Sequence, residues 1–298
     1  MKARFTLPAL FTLLVATFLT ALRAGADETK PDSLAGLGLW LVASDLSAGH
    51  RDGQVLTTWP DRSGHGYDAV YEPRVPQAGL IEGLHNPPTF KTGAVGGQPA
   101  VSFNAANREG LILNRAGHAL GQKTPGFTAV FLVRPTLTYG PKPTPTSAWT
   151  KNRYLFLTHV SDYNTRFSVQ IEEGTGEVKL FSRAHPSQKR VTQTSSFDDA
   201  GKTALSGDAW HRVLCTVDYA KKTALIVLDG KVIERSLPAD SASVSEDVPS
   251  PITGIGSTTL GDWLSCQIAE MACYNRALTA EELLSLDRYF TGKYQLKP

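Results

Sequence analysis

The strongest constraint on the fold is the dipeptide Asp229-Gly230, which lies between two apolar segments. Residues 225–228 precede it and residues 231–233 follow it. Glycine adopts a positive φ without steric cost, so this dipeptide predicts a two-residue β-hairpin turn. In residues 213–217, upstream of the hairpin, apolar side chains recur at alternate positions, which is the period of a strand. The region therefore predicts three strands in succession, joined by short connections.

One helix is predicted, at the C-terminal end of the chain. Thr279 and Glu282 form a capping-box pattern, in which the hydroxyl accepts from the third helical amide and the carboxylate reaches back to the Thr279 amide. Gly292 is a suitable stop for such a helix. The apolar side of the helix comprises Leu283, Leu284, Leu286, Tyr289 and Phe290.

The rest of the chain shows short strand patterns and frequent turns. Residues 127–135 alternate and are predicted to end as a strand at Pro135, which has no amide to donate. Residues 72–97 are rich in proline and glycine and are predicted to be mostly irregular. Many short strands with one terminal helix indicate an all-β sandwich. With no internal repeat and no clear linker, residues 37–298 are predicted as one domain, preceded by a flexible lead-in at residues 27–36.

Three C-terminal segments also carry a family resemblance. Residues 210–219 (WHRVLCTVDY), 225–233 (LIVLDGKVI) and 268–279 (IAEMACYNRALT) resemble a laminin-G-like domain of the concanavalin A-like lectin/glucanase superfamily. The resemblance implies a jelly-roll sandwich of two antiparallel sheets with a short C-terminal helix. It covers most of residues 37–298 and is loosest in residues 72–97. The superfamily contains sugar-binding proteins, enzymes and adhesion modules, so the resemblance indicates the fold more narrowly than the function.

The N-terminal segment predicts export. Lys2 and Arg4 precede an apolar run from Phe5 to Leu22, and the small residues at 24–26 are typical of a cleavage site. Residues 1–26 are therefore predicted to be a cleaved signal peptide, with an uncleaved membrane anchor as the alternative. A secreted protein, extracellular or periplasmic, is expected, with no membrane span after cleavage.

Charge and cysteine content exclude some classes of protein. The formal net charge is +2, with Lys and Arg scattered along the chain, so no nucleic-acid partner is predicted.

Three cysteines make a poor disulfide framework. Cys266 and Cys273 lie too far apart on one extended segment to bond each other. Either Cys215 pairs with one of them across strands, or all three are buried thiols.

No catalytic constellation is readable from the sequence. Hydrolases of the superfamily place acids two apart on one strand, as in Glu-x-Asp-x-x-Glu, and this chain has no such run; Glu270 is the one acid inside a late strand. No Ser-His-Asp arrangement is evident, and there is no Gly-x-Ser-x-Gly elbow. A polysaccharide lyase would need residues gathered in space from the set His159, Tyr163, Arg166, Gln170 and His185.

A metal is not required by any motif, and no cofactor is predicted as necessary. The loop at residues 61–68 offers Asp61, Ser63 and Asp68 as oxygen ligands, together with loop carbonyls, and Ca²⁺ prefers such ligands. Members of the superfamily often bind calcium, which favours the same loop. The alternative is that these residues stabilise a turn unaided.

Aromatic residues in loops are the candidates for sugar binding, because aromatic rings stack on apolar sugar faces while neighbouring polar groups fix hydroxyls. Trp149, Tyr163 and Trp263 are the predicted stacking residues. The neighbouring hydrogen-bonding groups are predicted to be Asn152, Arg153, Asp162 and Asn164.

Three hypotheses follow, and the first is preferred. It is a non-catalytic recognition module that binds an extracellular polysaccharide or glycoconjugate. The second is a polysaccharide lyase or glycoside hydrolase on the same fold, which predicts a groove with clustered acids or with Tyr, His and Arg. The third is a structural or adhesion protein, which predicts a broad apolar patch for a protein partner.

Overall fold

The computed structural model describes residues 29–73, 86–113, 120–121, 123–139, 152–158, 166–172, 174–183, 205–237, 253–256 and 263–297. Within them the strands form two antiparallel sheets, in agreement with the predicted all-β sandwich. The predicted signal peptide and the first two residues of the predicted lead-in lie outside these residues. None of the described helices is long and apolar enough to cross a membrane.

Sheet A contains β1 (Leu37–Val42), β4 (Thr89–Val95), β5 (Gln98–Phe103), β7 (Gly126–Tyr139), β11 (His211–Asp218), β12 (Thr223–Leu228), β13 (Lys231–Ser236) and β15 (Leu264–Tyr274). Sheet B contains β2 (Thr58–Trp59), β3 (Ala69–Val70), β6 (Leu111–Leu113), β8 (Asn152–Leu157), β9 (Arg166–Glu172), β10 (Val178–Arg183) and β14 (Thr253–Ile255). The order in sheet A is β13-β12-β11-β7-β15-β5-β4, with β1 on β15, and the order in sheet B is β10-β9-β8-β14-β6-β3-β2. Helix α1 spans Ala280–Lys293.

The predicted hairpin and the predicted capping box are both confirmed. Asp229 and Gly230 have φ values of 49° and 83° and join β12 to β13 with Leu228 opposite Lys231. At α1, the Thr279 hydroxyl accepts from the Glu282 amide at 3.2 Å, and the Glu282 carboxylate accepts from the Thr279 amide at 2.8 Å. Both features follow from short-range sequence signals, so the flanking pattern was sufficient to place them.

Two strand predictions need correction. β7 does not end at Pro135 but continues to Tyr139, because the pairing of β7 with β15 is irregular there and needs no amide at that position. The segment at residues 72–97, predicted to be mostly irregular, contains β4. Its pairing with β5 shifts register between Lys91 and Val95, around Gly93, which has a φ of 60°.

Two apolar cores lie on opposite sides of sheet A. Alternate residues of β7 divide between them: Phe127 and Phe131 pack against sheet B, while Val130 and Leu132 pack toward α1. Phe127 meets Phe167 of sheet B edge-to-face, with ring centroids 4.8 Å apart. Sheet A is therefore covered on both faces, by sheet B on the inside and by α1 on the outside.

The three cysteines are buried and unbonded. Cys215 and Cys273 both lie opposite Ala129, on either side of β7, so their Cα atoms are about 10 Å apart. A disulfide cannot span that distance. Burial raises the pKa of the Cys215 and Cys266 thiols, so all three act as small apolar residues of the inter-sheet core rather than as a cross-strand pair.

Candidate functional site

The outer side of sheet B carries polar side chains where an apolar layer would otherwise be expected. In β9, Phe167, Val169 and Ile171 belong to the inter-sheet core, so the alternate residues lie on the other side. The register of β8, β9 and β10 extends this side over three strands. We call it the polar face, and its described side chains are those of Tyr154, Ser168, Gln170, Glu172, Lys179 and Phe181.

The centre of the polar face is a row of three residues from three strands. Tyr154 lies opposite Gln170, and Gln170 lies opposite Lys179. The Gln170 side-chain amide donates to the Ser168 hydroxyl at 2.8 Å, which fixes the orientation of both groups. The row thus offers an aromatic ring, an amide and an ammonium group side by side.

A salt bridge borders this row. Lys179 Nζ lies 3.0 Å from the Glu172 carboxylate, and both side chains are about one fifth exposed, at 20% and 18%. Burial raises the pKa of the Glu172 carboxyl, but the hydrogen bond and charge of Lys179 outweigh burial and hold the pKa below its ordinary value. Glu172 is therefore an anion at neutral pH, and it neutralises Lys179.

Burial increases across the face toward Ser168. Tyr154, Glu172 and Lys179 are half-buried, whereas Gln170 is 5% exposed and Ser168 is fully buried. Buried hydroxyl and amide groups are costly unless they are hydrogen-bonded, and these two bond each other. The partly exposed groups, Tyr154, Glu172 and Lys179, can contact a ligand rich in hydroxyl groups, with Tyr154 contributing ring surface and the two charged groups a donor and an acceptor.

Two residues predicted for sugar binding fall on β8. Asn152 begins the strand and pairs with Glu172, and its side chain lies outside the described part of the chain, so its predicted role stays a prediction. Arg153 lies opposite Ile171, on the inner side, and is 1% exposed. Trp149, Tyr163 and Asn164, and also Asp162, lie outside the described residues. Their predicted role stays a prediction.

Trp263, the third predicted stacking residue, lies immediately before β15 and is 3% exposed. The guanidinium of Arg108 sits 5.1 Å from the centre of its ring. A ring enclosed in this way presents little surface to a ligand, although its part in binding stays a prediction. Leu264 donates to the Gly256 carbonyl and Gly256 donates to the Leu155 carbonyl, which links this segment to β8.

The Asp61 loop is held together by its own hydrogen bonds. The Asp61 carboxylate accepts from the backbone amides of Trp40, Ser63 and Tyr67 at 2.9 to 3.0 Å, and from the Ser63 hydroxyl at 2.7 Å. Asp68 accepts from the Asp61 amide at 2.9 Å. Within the described part of the chain, no three His, Cys, Asp or Glu residues are grouped so as to hold a metal ion. Calcium binding at this loop stays a prediction.

The structure also contains a chain of Ser, His and Asp that sequence reasoning missed. The Ser206 hydroxyl lies 3.2 Å from His211 Nε2, and His211 Nδ1 lies 2.7 Å from the Asp229 carboxylate. A hairpin brings Asp229 beside the start of β11, which spacing in sequence does not reveal. His211 Nε2 also lies 3.1 Å from the Ser206 carbonyl, and Asp229 accepts from the Arg212 amide at 2.9 Å. These contacts hold the loop at Ser206 and the hairpin at Asp229 against the start of β11. A structural role is therefore enough to explain the three side chains.

Residues considered for catalysis are divided between the two sheets. Of the lyase candidates, Gln170 lies on the polar face, the side chain of Arg166 is not described, and His159, Tyr163 and His185 lie outside the described residues. Glu270 is fully buried under α1 on the outer side of sheet A. It is therefore separated from the polar face by sheet A and the inter-sheet core.

No family model and no curated protein matches the sequence. Among solved structures, the chain is similar to domain 4 of AbnA, a GH43 extracellular arabinanase from Geobacillus stearothermophilus, in complex with arabinotriose. That likeness covers 84% of this chain and 98% of that domain, with 15% identity and a TM-score of 0.53.

Two toxin domains are similar to the same extent. The binding domain of Paraclostridial Mosquitocidal Protein 1 matches 86% of this chain with 16% identity and a TM-score of 0.53. The botulinum neurotoxin serotype G binding domain matches 88% of it with 14% identity and a TM-score of 0.52. The match covers 52% and 53% of those two chains. At such identities the likeness shows the fold, and the chain is a β-sandwich of two antiparallel sheets.

Proposed function

We propose that the protein is a carbohydrate-binding module and that it binds a glycan on the polar face. The observation that carries this proposal is the row of Tyr154, Gln170 and Lys179 across three adjacent strands. Sugars combine apolar ring faces with hydroxyl groups, so an aromatic ring next to an oriented amide and a charged group matches them on both counts.

The similar structures support the proposal at the level of the fold. Domain 4 of AbnA was solved with arabinotriose, and the likeness extends over 98% of that domain. The toxin domains are themselves described as binding domains. The finer assignment to laminin-G-like domains, which rests on the three C-terminal segments, is part of the same proposal. So is a recognition role without catalysis.

Binding to a panel of immobilised polysaccharides tests the proposal, followed by calorimetric titration with the best ligand. Tyr154→Ala is expected to weaken binding about fivefold to 150-fold, if a sugar loses as much as a stacked base does when its aromatic ring is removed, roughly 1–3 kcal/mol. Gln170→Ala is expected to weaken it less. Thr58→Ala, an exposed residue on β2 at the far end of the same sheet, is the matched control.

Two results would reject this site. Binding to no glycan would reject the function, and full binding by Tyr154→Ala would reject the polar face as its location. The second result leads to the loop residues predicted from the sequence. A triple substitution of Trp149, Tyr163 and Trp263 to alanine that abolishes binding would then place the ligand at those loops.

The cellular setting and the metal are further parts of the proposal. The N-terminal pattern at residues 1–26 supports export, so we place the glycan outside the cytoplasm. N-terminal sequencing of the exported protein would reveal whether cleavage follows residue 26.

Repeating the glycan titration with EDTA and then with added Ca²⁺ tests whether a cation at the Asp61 loop supports binding.

A polysaccharide lyase is the second candidate, favoured by the place of Gln170, one of the residues predicted for it, beside Tyr154 and Lys179. Such an enzyme neutralises a uronate carboxylate while a base removes the neighbouring proton. It would produce an unsaturated sugar that absorbs in the ultraviolet. Steady absorbance during incubation with uronate polysaccharides would exclude this activity while leaving glycan binding intact.

A further inference from the structure

A second row of polar residues lies on the outer side of sheet A, beyond the apolar residues on which α1 packs. Arg134 of β7 lies opposite Gln267 of β15. Gln267 lies opposite Ser102 of β5, and Ser102 lies opposite Thr89 of β4. A strand neighbour of each residue belongs to the inter-sheet core, so all four side chains lie on the outer side. All four are partly exposed, and we call them the sheet A row.

Trp210, the residue before β11, fixes the position of the Arg134 guanidinium. The guanidinium carbon lies 5.8 Å from the centre of the indole ring, within the range of a cation–π contact. The indole is itself held, because its Nε1 donates to the Ala94 carbonyl at 3.1 Å and its ring packs against the apolar core under α1. A cation–π contact positions the guanidinium but does not neutralise its charge.

The charge of Arg134 is not matched by the described residues. None of their ion pairs includes Arg134, and its Nε is buried without a hydrogen-bond partner. Other cations on the outer side of sheet A are paired. Arg212 donates to Asp287 at 2.7 Å, and Lys293 donates to Glu270 at 2.6 Å. Because arginine keeps its charge at physiological pH, the position of Arg134 favours an anionic ligand.

Gln267, directly opposite Arg134, also has an unsatisfied atom. Its Oε1 is buried and accepts no hydrogen bond from the part of the chain that the structure describes. Buried polar atoms without partners cost free energy, and an apolar pair at these two positions would avoid that cost. The two side chains are therefore better explained by a ligand that contacts their exposed parts than by the stability of the sheet.

We propose that the sheet A row is a second binding site, which takes an acidic oligosaccharide with its carboxylate at Arg134 and its hydroxyl groups along the rest of the row. Arginine binds a carboxylate through two parallel hydrogen bonds. The amide of Gln267 and the hydroxyls of Ser102 and Thr89 match sugar hydroxyls as donors and acceptors. The row spans three inter-strand distances, about 14 Å, so its ligand is a chain of sugars that contains a uronate.

This site is separate from the polar face, because the inter-sheet core lies between the outer sides of the two sheets. It goes beyond the proposed function and does not depend on it. A protein with both sites would hold two saccharide chains on opposite sides of the sandwich.

Short uronate oligosaccharides provide the test. The probes are hexamers of galacturonate, of mannuronate and of hyaluronan, each compared with its carboxyl-reduced form by calorimetric titration of the full chain. At least one acidic hexamer is expected to bind about tenfold or more tightly than its reduced form at low salt. The preference is expected to shrink as salt is added.

Variants assign this preference to the sheet A row. Arg134→Gln is expected to remove the preference for acid, while Arg134→Lys should restore only part of it. Arg288→Gln, at an exposed position on α1, changes the charge equally and is expected to have no effect. Urea unfolding of Arg134→Gln is expected to match the natural chain, because a residue with an unmatched charge contributes little to stability. A large loss of stability would instead identify Arg134 as a structural residue and overturn the site.

The outcomes separate this site from the polar face. Loss of acid binding in Arg134→Gln but not in Tyr154→Ala supports the second site, whatever happens to neutral glycans. A preference for acid that survives Arg134→Gln overturns it. Equal binding of acidic and reduced hexamers, or binding of neither, also overturns it, and the neutral glycans of the polysaccharide panel still test the polar face by themselves.

Discussion

The outer sides of the two sheets differ in the kinds of residue that they carry. The outer side of sheet A is covered by α1, whose Leu283, Leu286 and Phe290 pack against Leu132 and Leu214. The outer side of sheet B, at β8 to β10, has polar residues in a row instead. An antiparallel sheet can leave one side polar without losing its core, because successive side chains point in opposite directions. The difference separates a side that packs under a helix from one on which Tyr154, Glu172 and Lys179 remain partly exposed.

Buried polar groups show the same contrast. Glu270, on the covered side, accepts from Trp40 Nε1 at 2.6 Å, Lys293 Nζ at 2.6 Å, Tyr294 Oη at 2.7 Å and Tyr289 Oη at 3.1 Å. These four groups come from β1 and from the end of α1, so the carboxylate ties the helix to the sheet. On the polar face, Gln170 bonds Ser168 within one strand. That bond orients side chains but joins no separate elements.

Replacement of Glu270 gives the largest expected effect. Glu270→Gln leaves the Lys293 ammonium without its partner and reduces the acceptors available to the Tyr and Trp donors. Removing one member of a buried ion pair typically costs about 3–5 kcal/mol, so the free energy of unfolding in urea should fall by that order. Glu281→Gln, exposed in the first turn of α1, is the control and should cost only about 0.3–1 kcal/mol. Equal losses for the two variants would show that the carboxylate does not fasten the helix.

The helix cap gives the next largest effect. Thr279→Ala removes the acceptor of the Glu282 amide and is expected to cost about 1 kcal/mol of unfolding free energy. Thr279→Ser retains the hydroxyl and should restore most of the stability. If alanine and serine behave alike, the capping box contributes little to holding α1 on sheet A, and apolar packing of the helix explains its position alone.

The covered side was partly predictable, because its signals are local. The hairpin at Asp229-Gly230 and the capping box at Thr279 each depend on residues a few positions apart. Glu270 was not predictable, because a strand of period two would place it on the same side as Ile268. A bulge between these two residues shifts the register against β7 and turns Glu270 toward α1.

The polar face was less predictable, because it depends on pairing between strands distant in sequence. The sequence analysis indicated loop aromatics and the polar residues beside them as a sugar site, and among these Arg153 lies on the inner side of β8. It did not bring Tyr154, Gln170 and Lys179 together, since their row depends on the register of three strands. A second register shift, between Tyr154 and Phe156, accompanies the placement of Arg153 inward. Bulges leave no strong local signature, so the sides of these strands required the structure.

The hairpin contact of Asp229 gives a smaller, pH-dependent effect. Burial raises the pKa of the Asp229 carboxyl, but hydrogen bonds from His211 and the Arg212 amide outweigh burial and hold it below the ordinary value of 3.8. A carboxyl with a lowered folded-state pKa stabilises the fold above its unfolded-state pKa, and this contribution is lost as the pH falls through the folded-state value. The stability advantage of the natural chain over Asp229→Asn should thus be present above about pH 4 and disappear below it.

The size of this effect is limited by solvent. The Asp229 side chain is 36% exposed, so the advantage should not exceed about 1 kcal/mol. Urea titrations between pH 2 and pH 7 measure it. Ser206→Ala, which changes no charge, should preserve the pH profile of the natural chain. An advantage that grows toward low pH would have the wrong sign and would contradict the lowered pKa.

Tyr154 gives the smallest expected effect on stability and thereby the sharpest test of the comparison. It is half-buried on the polar face, and substitutions at such positions away from the core usually change the free energy of unfolding by less than about 1 kcal/mol.

Tyr294 is the matched residue on the covered side, where it is 1% exposed and donates to Glu270. Tyr294→Ala should cost about 3–5 kcal/mol, as truncation of a buried aromatic does, while the protein that remains folded should bind glycan normally. Tyr154→Ala should show the reverse, with binding lost and stability retained. If the two variants lose stability equally, the polar face is a second structural layer, and its tyrosine, amide and ammonium groups are there to pack rather than to bind.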